Sequence, residues 1–268
     1  MQEKPAIIIA AFGSSRGGRK AFGTLQRLAL KRFNGHRLYW GYTSEIIRRK
    51  TGDPSLTAIL EEAAKAGHRQ AVVLPLQIFP GSEYQRICDI AGRFSSLQAV
   101  VGETLLHRWS FVKEVVDTVS RDFIAEGEGI NLLALHGTRM AADPANIVYL
   151  GLAQLVRALY GNVWAASLEG IPDHRAVMAE IAASYGAGVR RRIRIIPMMY
   201  IAGLHVEDDL MGEEDSWKRR LEDQGWSVEC PSLEAGDGGC YKSLAAYPDI
   251  QEFFLQRIDS ALRGLPRL

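Results

Sequence analysis

The chain has 268 residues, of which 47% are hydrophobic and 24% charged, and its formal net charge is +1. This composition is typical of a globular protein with a sizeable core, and the near-zero charge gives no electrostatic attraction to nucleic acid or to an anionic membrane. No apolar run reaches the roughly 18 residues that a membrane-spanning helix needs.

Short β-rich runs alternate with helical patterns along the chain. Strands are predicted at 5–11, 37–42, 71–79, 98–105, 130–135, 162–167, 193–200 and 226–230. Helices are predicted between them, at 18–33, 54–67, 82–94, 108–126, 143–160, 172–187, 213–224 and 247–262. Several strand runs are continuously apolar, as expected when both faces of a parallel sheet are covered. The alternation predicts an α/β protein built from βαβ units.

The cysteines and the first residues indicate the cellular compartment. The chain has three cysteines, an odd number without C-x-x-C spacing, which favours neither a disulfide framework nor a cysteine-rich zinc site. The early run AIIIAAF is shorter than the apolar region of a secretory signal and lacks a cleavage site, so we interpret it as the first strand. We therefore expect a cytoplasmic protein.

Three stretches of sequence recur in the same order at nearly the same spacing. The pairs are AAFGSS (10–15) with ALHGTR (134–139), YWGYTSE (39–45) with VWAASLE (163–169), and VLPLQIFPGSEY (73–84) with IIPMMYIAGLHV (195–206). Such a repeat indicates internal duplication. It predicts two similar α/β halves with parallel sheets, residues 1–127 and 128–268, that face a central cleft.

The second half carries three metal-competent side chains at the carboxyl ends of predicted strands, which is the edge where open α/β sheets bind ligands. These are His136, Glu169 and His205. Two imidazoles and a carboxylate suit a divalent transition metal and leave coordination positions open for chemistry. The corresponding positions in the first half hold Phe12, Glu45 and Glu83. The alternative is that both histidines are hydrogen-bonded turn residues and that Glu169 leads into a helix.

Several motifs extend this interpretation. They are HGT at 136–138, AN-x-x-Y at 145–149, YTSEIIRRK at 42–50, LPLQIFPGSEY at 74–84 and IPMMYIAGLHVEDDLMGEEDSWKRRLEDQGWSVE at 196–229. Together they resemble the anaerobic sirohydrochlorin cobaltochelatases, class II chelatases of the CbiK type, over residues 6 to 260. The resemblance implies two α/β halves around a cleft, and insertion of Co²⁺ into sirohydrochlorin without ATP in cobalamin synthesis.

The resemblance also implies roles for individual residues. His136, Glu169 and His205 would hold the metal, and His136 would also remove pyrrole protons, with Glu83 as the alternative base. The tetrapyrrole is expected to contact Phe12, Gly13, Ser14, Ser15, Thr43, Ser44, Tyr84 and Gly203, and its carboxylates could reach Arg16 or Arg86. The expected substrate metal is Co²⁺, with Ni²⁺, Fe²⁺ or Zn²⁺ as alternatives, and no organic cofactor is expected.

The chain departs from the family pattern at several positions. HGTRMAADPAN lacks the histidine that usually follows HGT, Leu204 replaces an acid before His205, and Gln77 stands where a histidine is common. A second hypothesis is therefore a non-enzymatic binder of metal or tetrapyrrole, and a third is a metal-dependent hydrolase. The expected partner is the small-molecule tetrapyrrole, with neither nucleic acid nor membrane, and a homo-oligomer is compatible with the sequence.

Overall fold

The computed structural model describes residues 4–13, 19–184, 191–233 and 241–266. Contacts divide the chain into two compact units. The first unit comprises Met1–Arg108 and Pro248–Leu268, and the second comprises Trp109–Tyr247. Within the described ranges, no helix is long and apolar enough to cross a membrane.

The described residues form eight strands and nine α-helices. The strands are β1 (Ala6–Ala11), β2 (Leu38–Tyr42), β3 (Gln70–Pro75), β4 (Gln98–Val101), β5 (Ile130–Gly137), β6 (Val163–Glu169), β7 (Arg192–Pro197) and β8 (Ser227–Glu229). The helices are α1 (Arg19–Arg32), α2 (Glu45–Thr51), α3 (Leu56–Lys65), α4 (Ser82–Gly92), α5 (Trp109–Val119), α6 (Ala145–Leu159), α7 (His174–Ser184), α8 (Trp217–Glu222) and α9 (Pro248–Arg263).

All eight predicted strands are observed, although β3, β4 and β7 end three or four residues earlier than predicted. Strands β3 and β7 each end at a proline, Pro75 and Pro197. Proline has no N–H group to donate to a sheet ladder, so it favours the end of a strand. The two prolines occupy equivalent places in the two sheets, since Ala10 pairs with Pro75 and Ala134 with Pro197.

Each unit contains one four-stranded parallel sheet. The strand order is β2-β1-β3-β4 in the first unit and β6-β5-β7-β8 in the second. The central strands β1 and β5 are buried almost throughout, which explains their continuous apolar sequences. Because corresponding strands occupy corresponding places, the predicted α/β fold with two similar halves is confirmed.

A separate hydrophobic core supports each sheet. In the first unit, Ile8 and Val73 of the sheet pack with Leu60 of α3. In the second, Leu132 and Ile195 lie in a larger core that also includes three tryptophans, Trp164, Trp217 and Trp226. Each sheet is therefore supported by a buried core of its own.

Helix α9 belongs to the first unit, whereas the predicted boundary at residue 127 places it with the second half. It packs against β3, β4 and α1. Its buried face includes Phe254 and Ile258, and its exposed face carries Glu252 and Asp259, which form ion pairs with Arg32 of α1. An amphipathic pattern predicts a surface helix but does not say which sheet the helix covers.

Among the described residues, three helical segments were not predicted, of which the shortest is a 3₁₀-helix at Leu244–Ala246. Helix α2 begins after Ser44, whose side chain accepts a hydrogen bond from the N–H of Ile47, and it buries none of its residues, so it leaves no apolar periodicity in the sequence. The second segment is a π-helix at His205–Leu210. Short π-helical turns are rare and frequently lie at functional sites.

Candidate metal centre

The first imidazole is placed by the central strand of the second sheet. The residues of β5 before His136 are buried, whereas His136 itself is exposed at the carboxyl end of the strand. Its Nδ1 lies 3.0 Å from the carbonyl oxygen of Gly137. Because a carbonyl can only accept, Nδ1 carries the proton of the neutral ring, and Nε2 carries the lone pair.

The backbone after His136 is held tightly against the end of β6. Gly137 has φ +75°, and a Cβ at this position would lie 1.8 Å from the carbonyl oxygen of Glu169. Gly170 has φ +77°, and its Cβ would lie 2.0 Å from the carbonyl oxygen of Thr138. Only glycine tolerates both the left-handed conformation and this close approach. The two strand ends therefore fix the position of the first histidine.

Helix α6 holds the same segment through the AN-x-x-Y motif. The amide Nδ2 of Asn146 donates to the carbonyl oxygens of Met140 and Ala141, at 2.9 and 3.0 Å. The Tyr149 side chain, one turn later, hydrogen-bonds to the backbone of Gly137, and burial raises the pKa of its phenol. Asn146 and Tyr149 of the motif therefore hold the backbone between Gly137 and Ala141 in place.

The second imidazole begins the π-helix. Val206 and Leu210 are buried and anchor this turn to the core, while Leu204 and His205 are exposed. The Nδ1 of His205 lies 2.6 Å from Oδ2 of Asp209. A carboxylate bonded to one ring nitrogen fixes the tautomer and orients the other nitrogen, as in carboxylate–histidine–metal arrangements.

The two imidazoles are neighbours. Their ring centroids are 4.9 Å apart, and the rings meet edge to face at 87°. Each Nδ1 has its own partner, so each neutral ring presents an Nε2 lone pair, the form that binds metals. The sequence prediction that these two histidines come together agrees with this geometry.

The carboxylate of Glu169 is engaged elsewhere. Its Oε1 lies 2.8 Å from Nη2 of Arg139. Glu169 also pairs in register with Gly137, the residue after His136, so the two predicted ligands lie on neighbouring strand ends. In the described part of the chain, no group of three or more His, Cys, Asp or Glu side chains is arranged to hold a metal ion.

Arg139 and Asp209 are charged neighbours of the predicted ligands, and neither was predicted from the sequence to bond to them. Asp209 carried a usable signal, because residues four apart face each other on a helix. Arg139 carried none, because its pairing with Glu169 depends on the conformation of the loop after β5.

The predicted substrate-contacting residues of the first unit lie near the carboxyl ends of β1 and β2. Phe12 is 50% exposed, and Gly13 has φ +121° and packs against Ile47. Ser14, Ser15 and Arg16 lie outside the described residues. Of the set, Phe12 offers the largest apolar surface.

Thr43 and Ser44 are buried and use their hydroxyls within the protein. Thr43 Oγ1 donates to Oε2 of Glu83 at 3.2 Å, and Ser44 caps α2. Glu83 lies in the first turn of α4, where a carboxylate is favoured by the helix dipole. The structure thus joins one predicted substrate contact, Thr43, to the alternative predicted base, Glu83.

Two further predicted contacts lie at other strand ends. Tyr84 meets the ring of His107 edge to face, with centroids 5.3 Å apart, and burial together with Cys88 raises the pKa of its hydroxyl. Gly203 lies just before the π-helix, and its carbonyl oxygen accepts from the N–H of Val206 at 2.8 Å. Gly203 therefore opens the turn that carries the second histidine.

Comparison with known proteins assigns the chain to a family. The family model described as cobalt chelatase (CbiK) matches residues 5–263. The chain belongs to the CbiK cobalt chelatase family. The resemblance found in the motifs is thereby confirmed, and the protein is a metal chelatase.

Individual relatives of this CbiK chain agree with the assignment. The chain is 27% identical to sirohydrochlorin cobaltochelatase CbiKC of Nitratidesulfovibrio vulgaris (strain Hildenborough) over 276 residues, which cover 98% of this chain and 92% of the relative.

Two solved structures share the fold. One is SirB from Bacillus subtilis with Fe³⁺, with a TM-score of 0.68, and the other is the sirohydrochlorin chelatase SirB from Bacillus subtilis subspecies spizizenii in complex with cobalt, with a TM-score of 0.63. Each is 15% identical, and each match covers 97% of this chain and 96% of the other. At this identity the likeness confirms the α/β architecture alone.

Proposed function

We propose that this chelatase inserts Co²⁺ into sirohydrochlorin, without ATP, as a step of cobalamin synthesis in the cytoplasm. The observation that carries the proposal is the pair of imidazoles, His136 and His205, at 4.9 Å, each presenting Nε2. Membership of a cobalt chelatase family and the name of the N. vulgaris relative support this metal and this ring. The sequence contains no G-x-x-x-x-G-K-[ST] loop for a nucleotide.

The metal ion is a substrate, so its site must bind it and release it. In the proposal, His136 and His205 bind through Nε2, and Glu169 becomes the third ligand when it leaves Arg139. Three protein ligands leave open positions at which pyrrole nitrogens replace water. Such ligands prefer Ni²⁺ and Cu²⁺ to Co²⁺, so metal supply and site geometry select cobalt.

Insertion also releases the pyrrole protons, which need an acceptor. As the ion moves to the ring, Nε2 of His136 regains its lone pair beside the reacting nitrogens, and an imidazole is a suitable general base near neutral pH. We assign this role to His136, whose Nε2 accepts the two protons one at a time and passes each to water. Glu83, which accepts a hydrogen bond from Thr43, is the alternative acceptor.

The tetrapyrrole needs apolar surface for its face. Met140 and Leu204 are 60% and 65% exposed, although both are large and apolar. Leu204 immediately precedes the second histidine, and Met140 follows the first by four residues. Exposed apolar side chains beside a polar site favour binding of a flat hydrophobic ligand. We propose that these two side chains contact the ring.

The test is an anaerobic spectrophotometric assay with sirohydrochlorin and Co²⁺, Ni²⁺ or Fe²⁺. The wild type should form cobalt product at many times the enzyme concentration, and His136→Ala and His205→Ala should lose at least about 100-fold of the rate. His36→Ala is the control, because the ring of His36 bonds to the carbonyl oxygen of Pro5 in the first unit. A wild-type rate no faster than the uncatalysed background overturns the proposal, as does product limited to one equivalent.

A further inference from the structure

An ion pair joins Glu169, a predicted metal ligand, to the solvent-exposed cation of Arg139. Nη2 of Arg139 and Oε1 of Glu169 are 2.8 Å apart, and the side chains are 83% and 33% exposed, respectively. Among the described residues, Glu169 is the charged partner of Arg139. The guanidinium therefore occupies a carboxylate oxygen that the proposed function assigns to the metal, while most of its own surface remains in water.

The metal and Arg139 compete for the same carboxylate. A divalent ion binds a carboxylate oxygen at about 2.0–2.2 Å, and a guanidinium on that oxygen both shares its lone pairs and repels the ion. Metal loading must therefore displace or lengthen the ion pair. The neighbouring backbone cannot open easily, because Gly170 and Thr138 are in close contact. The ion pair must therefore open by movement of the long, exposed side chain of Arg139.

We propose that Arg139 exchanges one carboxylate for another during the reaction, an inference that rests on the proposed function. It holds Glu169 while the metal is absent. When the metal takes Glu169, Arg139 turns outward and binds a carboxylate at the periphery of the tetrapyrrole. A guanidinium is suited to this because it binds carboxylates in a two-pronged, planar geometry.

The exchange couples the two substrates. A bound metal frees Arg139 for the ring carboxylate, and a ring carboxylate holds Arg139 away from Glu169, so each substrate strengthens binding of the other. Once the ion has moved into the ring, Arg139 can return to Glu169. That return weakens the hold on the product carboxylate and restores the metal-free state.

The first arm of the test is a calorimetric titration with Co²⁺ alone. Arg139→Gln removes the competing cation and should tighten Co²⁺ binding by about two- to fivefold, a modest factor because the pair is exposed. The change should vanish in a Glu169→Gln background, since the competition acts through that carboxylate. Arg219→Gln removes the cation of a comparable exposed pair, that with Asp223, and is the control.

The second arm is the KM for sirohydrochlorin. Arg139→Gln should raise it by about threefold or more, because the carboxylate contact is lost. A variant that binds Co²⁺ more tightly and sirohydrochlorin more weakly cannot be explained by a general loss of structure, because that would weaken both. Unchanged Co²⁺ affinity, or equal tightening in the Glu169→Gln background, overturns the exchange. A chain that shows the Co²⁺ shift but inserts no metal would instead contradict the proposed function.

Discussion

His136 and His205 meet edge to face at 4.9 Å, yet their Nδ1 atoms have different partners. His136 bonds to a neutral backbone carbonyl and His205 to the carboxylate of Asp209. A carboxylate partner makes an imidazole a stronger metal ligand than a carbonyl partner does. The pair is therefore unequal: His205 is suited to retain the ion, and His136 to release it and take a proton.

Asp209→Asn tests this inequality. The substitution keeps the size of the side chain and an oxygen acceptor but removes the charge, so Co²⁺ should bind about tenfold more weakly, within the range typical of partners behind a metal ligand. Calorimetric titration with Co²⁺ measures the change. Asp208→Asn is the matched control, because Asp208 is also exposed on the π-helix. Equal losses in the two variants would contradict an orienting role for Asp209.

Glu83→Gln separates the two candidate bases. The amide oxygen can still accept the hydrogen bond from Thr43, so the local structure should be preserved. If His136 receives the pyrrole protons, kcat should stay within about fivefold of wild type, with unchanged Co²⁺ affinity. A loss of about 100-fold or more, the usual contribution of a general base, would move the role to Glu83. Steady-state kinetics at saturating Co²⁺ measures the difference.

Gly137 and Gly52 share one backbone conformation but differ in their surroundings, so Gly137→Ala and Gly52→Ala can be compared directly. Both glycines have φ +75°, whereas a Cβ meets nothing within 4 Å at Gly52 and a carbonyl oxygen at 1.8 Å at Gly137. Gly52→Ala should cost about 1 kcal/mol of unfolding free energy, the strain of the left-handed conformation alone. Gly137→Ala should cost more than about 3 kcal/mol and weaken Co²⁺ binding. Urea unfolding followed by circular dichroism compares them, and equal costs would show that the close approach relaxes freely.

The strands and the two histidines at their carboxyl ends could be predicted because both depend on local signals in the sequence. Apolar runs mark buried parallel strands, and the carboxyl edge follows from their direction. The engagement of Glu169 could not be predicted, because it depends on the register of β6 against β5 and on the side chain of Arg139. The placement of α9 depends on long-range packing, which the helical pattern does not encode.

Asp122 should make the second unit sensitive to acid. Its Oδ2 accepts hydrogen bonds from Lys242 Nζ at 2.7 Å and from Tyr247 Oη at 2.6 Å. Burial acts to raise the pKa of Asp122, but these hydrogen bonds outweigh it, and the pKa is lowered. Since the folded pKa lies below the unfolded value of about 3.9, the stabilisation is fully present above that pH and is lost as the pH falls through the folded pKa.

Asp122→Asn measures this contribution. At pH 7 the substitution should lower the free energy of unfolding by about 1–3 kcal/mol, the usual range for hydrogen bonds to a charged group. The difference from wild type should shrink as the pH falls below about 4. Asp223→Asn is the control, because Asp223 belongs to an exposed pair with Arg219 and should cost less than about 1 kcal/mol. A difference that is constant with pH would contradict the electrostatic origin.

The assignment of α9 to the first unit has a consequence for biosynthesis. The ribosome makes the strands of the first sheet early, but the helix that packs on β3 and β4 only after all of Trp109–Tyr247. The second unit is continuous in sequence and can fold as it emerges, as domains generally do. The first sheet, by contrast, is incomplete until α9 is available. The surface that Phe254 and Ile258 later cover stays exposed to water during this time. Until α9 has been made and has left the ribosome, that surface is open to chaperones and to aggregation.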